Sequence, residues 1–272
     1  MNHRALVPSL LLILLVVVSF LPARQTPDST DGRLTTILHL PVLTPNDWRA
    51  LFSEAESGNA EAQYWLAHVY DTGRLLPQDK VNASLWYQKS ADQGYAPAKY
   101  AVCLTHANQD PFESERCMWR AAETGVPEAQ FWLAVAFDQH RFGITDEQEA
   151  LKWFKQAAER GNPDAQVELG SHYEDGDGVE QNYALAAQWY RKAAEHVPNL
   201  GGAGQGRNKL GLLYLDGLGV PQDYIQAYMW FSLAGVDHNI AYAADKMTPA
   251  QILRAQQMTD EWKKQHLDPA IY

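Results

Sequence analysis

Residues Gly161-Asn162-Pro163-Asp164-Ala165-Gln166-Val167-Glu168-Leu169-Gly170-Ser171-His172-Tyr173, continued by Glu174-Asp175-Gly176-Asp177-Gly178-Val179 and then by Glu180 to His196, decide the fold. Ala165 is followed four residues later by Leu169, then by Gly170, and three residues further by Tyr173, which is the spacing of one helix face. The second half places Ala186 three residues before Trp189 and the small pair Ala193-Ala194 four and five residues after it. Two helices are expected, with small residues facing small residues. Between them, Gly176 and Gly178 read as positive-φ positions that end the first helix and open a tight loop.

The same pattern recurs outward in both directions. Ala62-Gln63-Tyr64-Trp65-Leu66-Ala67 and Ala129-Gln130-Phe131-Trp132-Leu133-Ala134 match Ala165 to Gly170, and weaker copies run Ala98 to Cys103 and Gly206 to Gly211. The leucine-type position falls at Leu66, Val102, Leu133, Leu169 and Leu210, with steps of 36, 31, 36 and 41 residues. A second ladder runs Trp86-Tyr87, Cys117-Met118, Trp153-Phe154, Trp189-Tyr190 and Trp230-Phe231 in the same register. A period of this length marks a solenoid, in which no unit buries its apolar face alone and stacking makes the core. Gly170 and Gly211 are expected to let two helix backbones approach. The tryptophans are expected to fill the gap to the next unit, each contributing about 2 to 3 kcal/mol when fully buried.

These residues resemble the Sel-1-like repeat family, a relative of the tetratricopeptide repeats with a longer loop between the helices. The pattern is Ala-Gln, Leu-Gly, Tyr, Gly-x-Gly-Val, Ala, Trp-Tyr and Lys-Ala-Ala-Glu; residues 161–196 match it almost throughout, and the likeness covers roughly 58–236. It implies an all-α fold, a right-handed α/α superhelical solenoid of about five helix-turn-helix repeats with capping helices at both ends. The repeats are read as 58–93, 94–124, 125–160, 161–197 and 203–236. The second unit departs most: Ala107 to Pro111 replace the glycine loop, and Cys117 stands where Trp is expected. Residues 198–206 form an insertion whose glycines are expected to bend or hinge the array.

Both ends of the array read as caps. Thr44-Pro45 sets a capping residue before a proline at the first helical position, so residues 44–57 should close the first unit. Thr248-Pro249 repeats the device within the C-terminal caps, 237–272, and puts Ile252, Ala255, Thr259 and Trp262 on one side of a helix. Ahead of the array, residues 1–23 join a short positive start to the apolar run Leu10 to Phe20, the pattern of a secretory leader. A cleaved signal peptide is favoured; the poor small-residue signal at Leu21 keeps a membrane anchor through residues 5–23 as the alternative. No cysteine follows the run, which excludes a lipoprotein leader. Residues 24–43 read as a tether. The expected compartment is the periplasm, oxidising, with anchoring to the inner membrane as the variant.

Composition narrows the function. The 272 residues are 46% hydrophobic and 20% charged, with a net charge of −11, which excludes a disordered chain and a multi-span membrane protein. The acidic balance also argues against nucleic acid as a partner, because phosphate neutralisation needs clustered Lys and Arg. A protein partner with a basic surface suits it better. Nine histidines invite a metal, but no His-Glu-x-x-His or paired Cys-x-x-Cys is present, so no metal and no cofactor are expected. Gly-x-Ser-x-Gly and Ser-x-x-Lys are also missing, and the Gly176 loop follows a helix instead of opening one. Some cysteine-rich members of the resembled family are linked to penicillin binding, but their cysteine pairs are lacking here. The chain is read as no enzyme. Cys103 and Cys117 lie on opposite helices of the second unit; Cys103 should face position 114, leaving Cys117 one turn beyond, about 5.4 Å. That offset strains a bridge, so two buried thiols are the first reading and a disulfide the second.

Function must then lie on a surface. By analogy with tetratricopeptide arrays, the first helices line a concave groove that exposes Glu61, Glu128 and Asp164; Tyr64, Tyr100 and Phe131; His68; and Asp71, Asp138 and Glu174. The expected trough is acidic with an aromatic stripe, suited to a basic protein. The rings could instead pack between neighbouring first helices. The resemblance implies a scaffold, a regulator, or an inhibitor of a secreted effector, as immunity proteins are for phospholipases. A cell-wall-active hydrolase is the alternative.

Overall fold

A computed structural model describes residues 45–73, 76–107, 110–139, 146–196 and 201–266. The leader or anchor, the tether and the Thr44 cap lie outside the described residues. Thirteen helices and no strand occur among those described. A terminal helix, α1 (Pro45–Glu56), precedes five hairpins: α2 (Ala60–Thr72) with α3 (Lys80–Asp92), α4 (Ala96–His106) with α5 (Pro111–Glu123), α6 (Pro127–Asp138) with α7 (Glu147–Glu159), α8 (Pro163–Asp175) with α9 (Tyr183–Ala194), and α10 (Gly202–Asp216) with α11 (Tyr224–Ala234). Helices α12 (Asp237–Asp245) and α13 (Pro249–His266) close the series. Each second helix packs on the first helix of the next hairpin, and first helices α4 and α6, and α8 and α10, also meet directly. The fold is an α/α solenoid.

Local chemistry sets the hairpin. Each second helix is capped by the side chain of an Asp or Asn that accepts backbone amides: Asp79, Asp110, Asp146, Asn182 and Asp223. The amides of Asp79, Asn182 and Asp223 in turn donate to the carbonyls of Tyr70, Tyr173 and Tyr214, closing the inter-helix loop on the first helix. Gly219 lies at φ +69°, and a β-carbon there would fall 2.2 Å from the carbonyl carbon of Tyr183, so its loop lies against the start of the preceding hairpin's second helix.

A second device joins hairpin to hairpin. Gln63, Gln130 and Gln166 are buried, and each donates its Nε2 to the carbonyl oxygen eight residues earlier, on Ala55, Ala122 and Ala158, at 3.0, 3.0 and 3.1 Å. These carbonyls sit in the last turn of the preceding helix, where intrahelical donors run out. In the fifth hairpin Arg207 takes this place, donating Nε to Ala194 O at 2.9 Å and Nη2 to His196 O at 3.0 Å, with its guanidinium over the Trp262 ring.

Four expectations are corrected. Gly170 and Gly211 do make room, but for rings and not for helix backbones: an added β-carbon would sit 2.5 Å from Tyr190 Cε1 and 2.6 Å from Phe231 Cε1. Two ladder tryptophans pack backwards onto the preceding unit, whereas Trp230 meets Trp262 on the helix that follows. Trp86 joins the cluster of Leu51 and Ala55 on α1, and Trp153 meets Trp119 with ring centroids 6.3 Å apart. The described part of the insertion, from Gly202, is helical: Gly206 lies so close to α9 that a β-carbon would meet Ala193 Cβ at 2.7 Å, so close packing, not hinging, explains that glycine. Cys103 and Cys117 are bridged, with Cα atoms 5.3 Å apart. The Ser114 hydroxyl donates to Cys103 O, so Cys103 faces the gap between Ser114 and Cys117 and no full-turn offset separates the sulfurs.

Candidate partner-binding face

The first helices place their projecting side chains in a row, and the N-terminal part of that row is rich in tyrosine. Tyr64 on α2 packs its ring against Tyr95, at the N-cap of α4, with centroids 5.5 Å apart, and against Tyr87 at 5.6 Å. His68 stacks on Tyr64 one turn along, at 6.5 Å. Tyr100 follows on α4, half-buried against the core of the second and third hairpins. The hydroxyls of Tyr64, Tyr95 and Tyr100 make no hydrogen bond among the described residues, and none is a sealed polar atom. Their rings are buried bodies with free polar tips.

Carboxylates surround these tyrosines. Burial pushes the Tyr95 phenol up to about 12, with Glu61, Tyr64 and Glu128 adding to the effect. Burial likewise raises Tyr64, helped by Glu128, and Tyr100, helped by Glu128 and Asp164. The negative charge of Glu128 therefore acts on all three phenols. Its own carboxyl is held above the usual range by burial, and its Oε2 is enclosed without a hydrogen-bond partner. On α1, Glu54 is raised by burial and by Glu61.

Elsewhere the row is already satisfied. Asp71 takes the Lys80 ammonium at 2.7 Å. Asp164, raised mainly by burial, accepts the amide of Gly202 at the start of α10. Glu174 accepts the Tyr190 hydroxyl and pairs with Lys209 at 3.0 Å, tying the fourth hairpin to the fifth. Phe131 packs on Phe154, centroids 5.9 Å apart, and joins two core clusters, so most of it belongs to the interior. Asp138 is exposed at the end of α6.

The structure thus brings Tyr64 and His68 together, with the charges of Glu61 and Glu128 reaching the neighbouring tyrosines, while Asp71, Asp164 and Glu174 are engaged in holding the chain. Two residues were missed. Tyr95 occupies the N-cap position that Asn59 and Asn162 fill in other units, outside the helical positions that a trough was read from. Its place just before Ala96-Pro97, where the first and fourth units carry an asparagine cap, was the available signal. Glu168 lies two residues before Gly170 and is raised first by burial, with Asp138 and Asp164 adding and His172 and Lys209 opposing. Among the described residues no group of three or more His, Cys, Asp or Glu could hold a metal ion. No described helix is long and apolar enough to cross a membrane.

Stacked helix pairs with a polar and aromatic inner row define an α/α repeat protein. The chain belongs to the Sel1 repeat family: the Sel1 repeat model matches residues 60–95, 127–162, 163–196 and 205–235. The bridged second hairpin falls between the first two matches. A protective antigen of uropathogenic Escherichia coli with an SLR fold is 29% identical, with a TM-score of 0.59 over 86% of this chain and 52% of its own. An immunity protein of Pseudomonas aeruginosa shares the fold at 20% identity, with a TM-score of 0.56 over 79% of this chain and 84% of its own. An exopolysaccharide production negative regulator of Rhizobium leguminosarum bv. viciae is 28% identical over 121 residues, 38% of this chain and 45% of that protein. The chain thus spans about half the length of that regulator and of the antigen.

Proposed function

We propose that this chain is an exported, non-catalytic repeat protein that binds another protein in the periplasm through its first-helix face. The observation that carries the reading is the half-buried row of Tyr64, packed on Tyr95, and Tyr100, whose hydroxyls are free and whose phenols all feel the charge of Glu128. Buried aromatic anchors beside charge are what binding hot spots are made of. The partner presents a basic surface to this face, because the chain carries a net charge of −11 and the unpaired groups here are acidic. The disulfide between Cys103 and Cys117 suits an oxidising compartment, as does the leader pattern of residues 1–23, which either is cleaved or anchors the protein to the inner membrane.

Likeness to an immunity protein and to a regulator favours inhibition or control of the partner over passive scaffolding, with occlusion as the means. The test is affinity capture from envelope extracts with the exported portion, in parallel with the double variant Glu61→Gln/Glu128→Gln. One stoichiometric partner lost by the variant is expected. Equal capture by both proteins, or hydrolysis of cell-wall material by the purified protein, would overturn the reading.

A further inference from the structure

Hydrophobic side chains left in water are not spread evenly over the array. Among the described residues seven large ones stay exposed, and four of them, Val81, Leu85, Leu104 and Phe112, belong to the first two hairpins; the described residues of α6 to α9 carry none. Val81 and Phe112 are 73% and 78% exposed, so each offers most of its side chain to whatever lies outside.

The four also share an edge. Short connections make successive helices antiparallel, so the first helix of each hairpin ends, and its second helix begins, at the same edge of the array. Val81 and Phe112 are each the second residue of a second helix, two positions after the capping Asp79 and Asp110, and each donates its amide to that cap. They therefore hold equivalent places in adjacent hairpins, side by side in the row that stacking generates. Leu85 stands one turn further along α3, and Leu104 lies in the last turn of α4, just before the loop that leads to Phe112. Helix α1 is antiparallel to α2 across residues 57–59, so Pro45, where the described chain begins, opens on this same edge. In the sequence the apolar run Leu10 to Phe20 stands ahead of it, joined through residues 24–44, which reach at most about 70 Å when extended.

We propose that this edge rests on a lipid bilayer, with Val81, Leu85, Leu104 and Phe112 entering the zone between headgroups and acyl chains. A group of exposed apolar side chains marks a contact with protein or membrane. The point of chain entry selects the membrane, because the edge that carries the group is the edge at which a chain led by an apolar run joins the array.

Charge sets the manner of contact. Lys80, beside Val81, and Arg116, one turn beyond Phe112, are paired with Asp71 and Glu113, and Asp79 and Asp110 direct their carboxylates onto helix amides. With these charges matched internally and −11 on the chain as a whole, anionic headgroups gain nothing from this edge, and apolar insertion carries the contact. Four side chains hold weakly alone. An anchoring leader multiplies that hold by confining the array near the surface. The contact is independent of the partner-binding reading, which turns on Glu61 and Glu128.

The test places an indole at the contact. Full-length Phe112→Trp and, as control, Leu253→Trp at a 57% exposed position of α13 are reconstituted in phosphatidylcholine vesicles with and without bromine on the acyl chains. The emission gained at position 112 is expected to lose most of its intensity in the brominated vesicles, at low and at high salt alike, while that gained at 253 keeps its own. Adding Val81→Ser/Leu85→Ser should restore most of the emission at 112 and leave the melting temperature unchanged, since both side chains are exposed. No quenching at 112, equal quenching at 112 and 253, or quenching that high salt abolishes would overturn the proposal. So would shielding of the indole at 112 from iodide by envelope proteins in detergent with no vesicle present, which would make the edge a protein contact.

Discussion

Tyr190 lies directly over Gly170, so close that a β-carbon on the glycine would come within 2.5 Å of the ring's Cε1. The ring is fully buried and its hydroxyl is held by Ser171 and Glu174, so it has nowhere to turn. Gly170→Ala should therefore lower stability by about 1 to 3 kcal/mol despite the better helix propensity of alanine. Urea unfolding followed by circular dichroism measures it, and an unchanged midpoint would show that the ring yields.

Arg207 is 3% exposed and donates to Ala194 O and His196 O at and just after the end of α9 and to Leu233 O on α11 while lying over Trp262. Its charge complements the C-terminal end of α9. Arg207→Ala should cost about 3 kcal/mol, the worth of one or two hydrogen bonds to a charged donor, and should release α13 first. Faster amide exchange in residues 249–266 than elsewhere would report that release.

The Cys103–Cys117 bridge joins the two helices of the one hairpin that lacks the ladder tryptophan and the glycine loop. Changing both to serine should destabilise by about 2 to 4 kcal/mol. Helix α4 carries Tyr95 at its cap and Tyr100 within it, so partner affinity should fall with the bridge. Calorimetry with and without reductant, paired with a capture assay, tests both halves; full affinity after reduction would separate the bridge from the face.

Burial raises the carboxyls of Glu128, Asp164 and Glu168 in the folded chain. A carboxyl with a raised folded-state pKa binds its proton more tightly when folded. Its contribution to stability is complete below the unfolded value and is lost as pH rises through the folded one. Glu128→Gln removes that loss, so the variant should melt higher than the parent at pH 7. The gap should close as pH falls toward about 4. A gap that widens on acidification would mean that Glu128 is stabilised as the anion.

Periodicity made the helices and their pairing legible, because alanine, leucine and aromatic residues recur in register whatever the loops between them do. Direction was not legible: Trp153 could meet either neighbour, and the packing of both α5 and α7 on α6 leaves it against Trp119. The glycines of the insertion looked like a hinge because glycine serves both loose loops and tight packing, and the approach of α9 to Gly206 selects the second. Helical spacing put the acids on the first helices, yet sequence could not show that Lys209, 35 residues on, pairs with Glu174. Tyr95 escaped because a capping position is not a helix face.

The glutamines that reach back to Ala55, Ala122 and Ala158 give the array a polarity. Each of these three rungs hangs from a helix synthesised before it, so an emerging chain finds its acceptor already in place and can settle in the order in which it is made. Trimming from the carboxyl end should leave the earlier rungs intact, while trimming from the amino end to just before Gln63, Gln130 or Gln166 strands a buried donor at the new edge; amide exchange on the two truncation series would tell them apart.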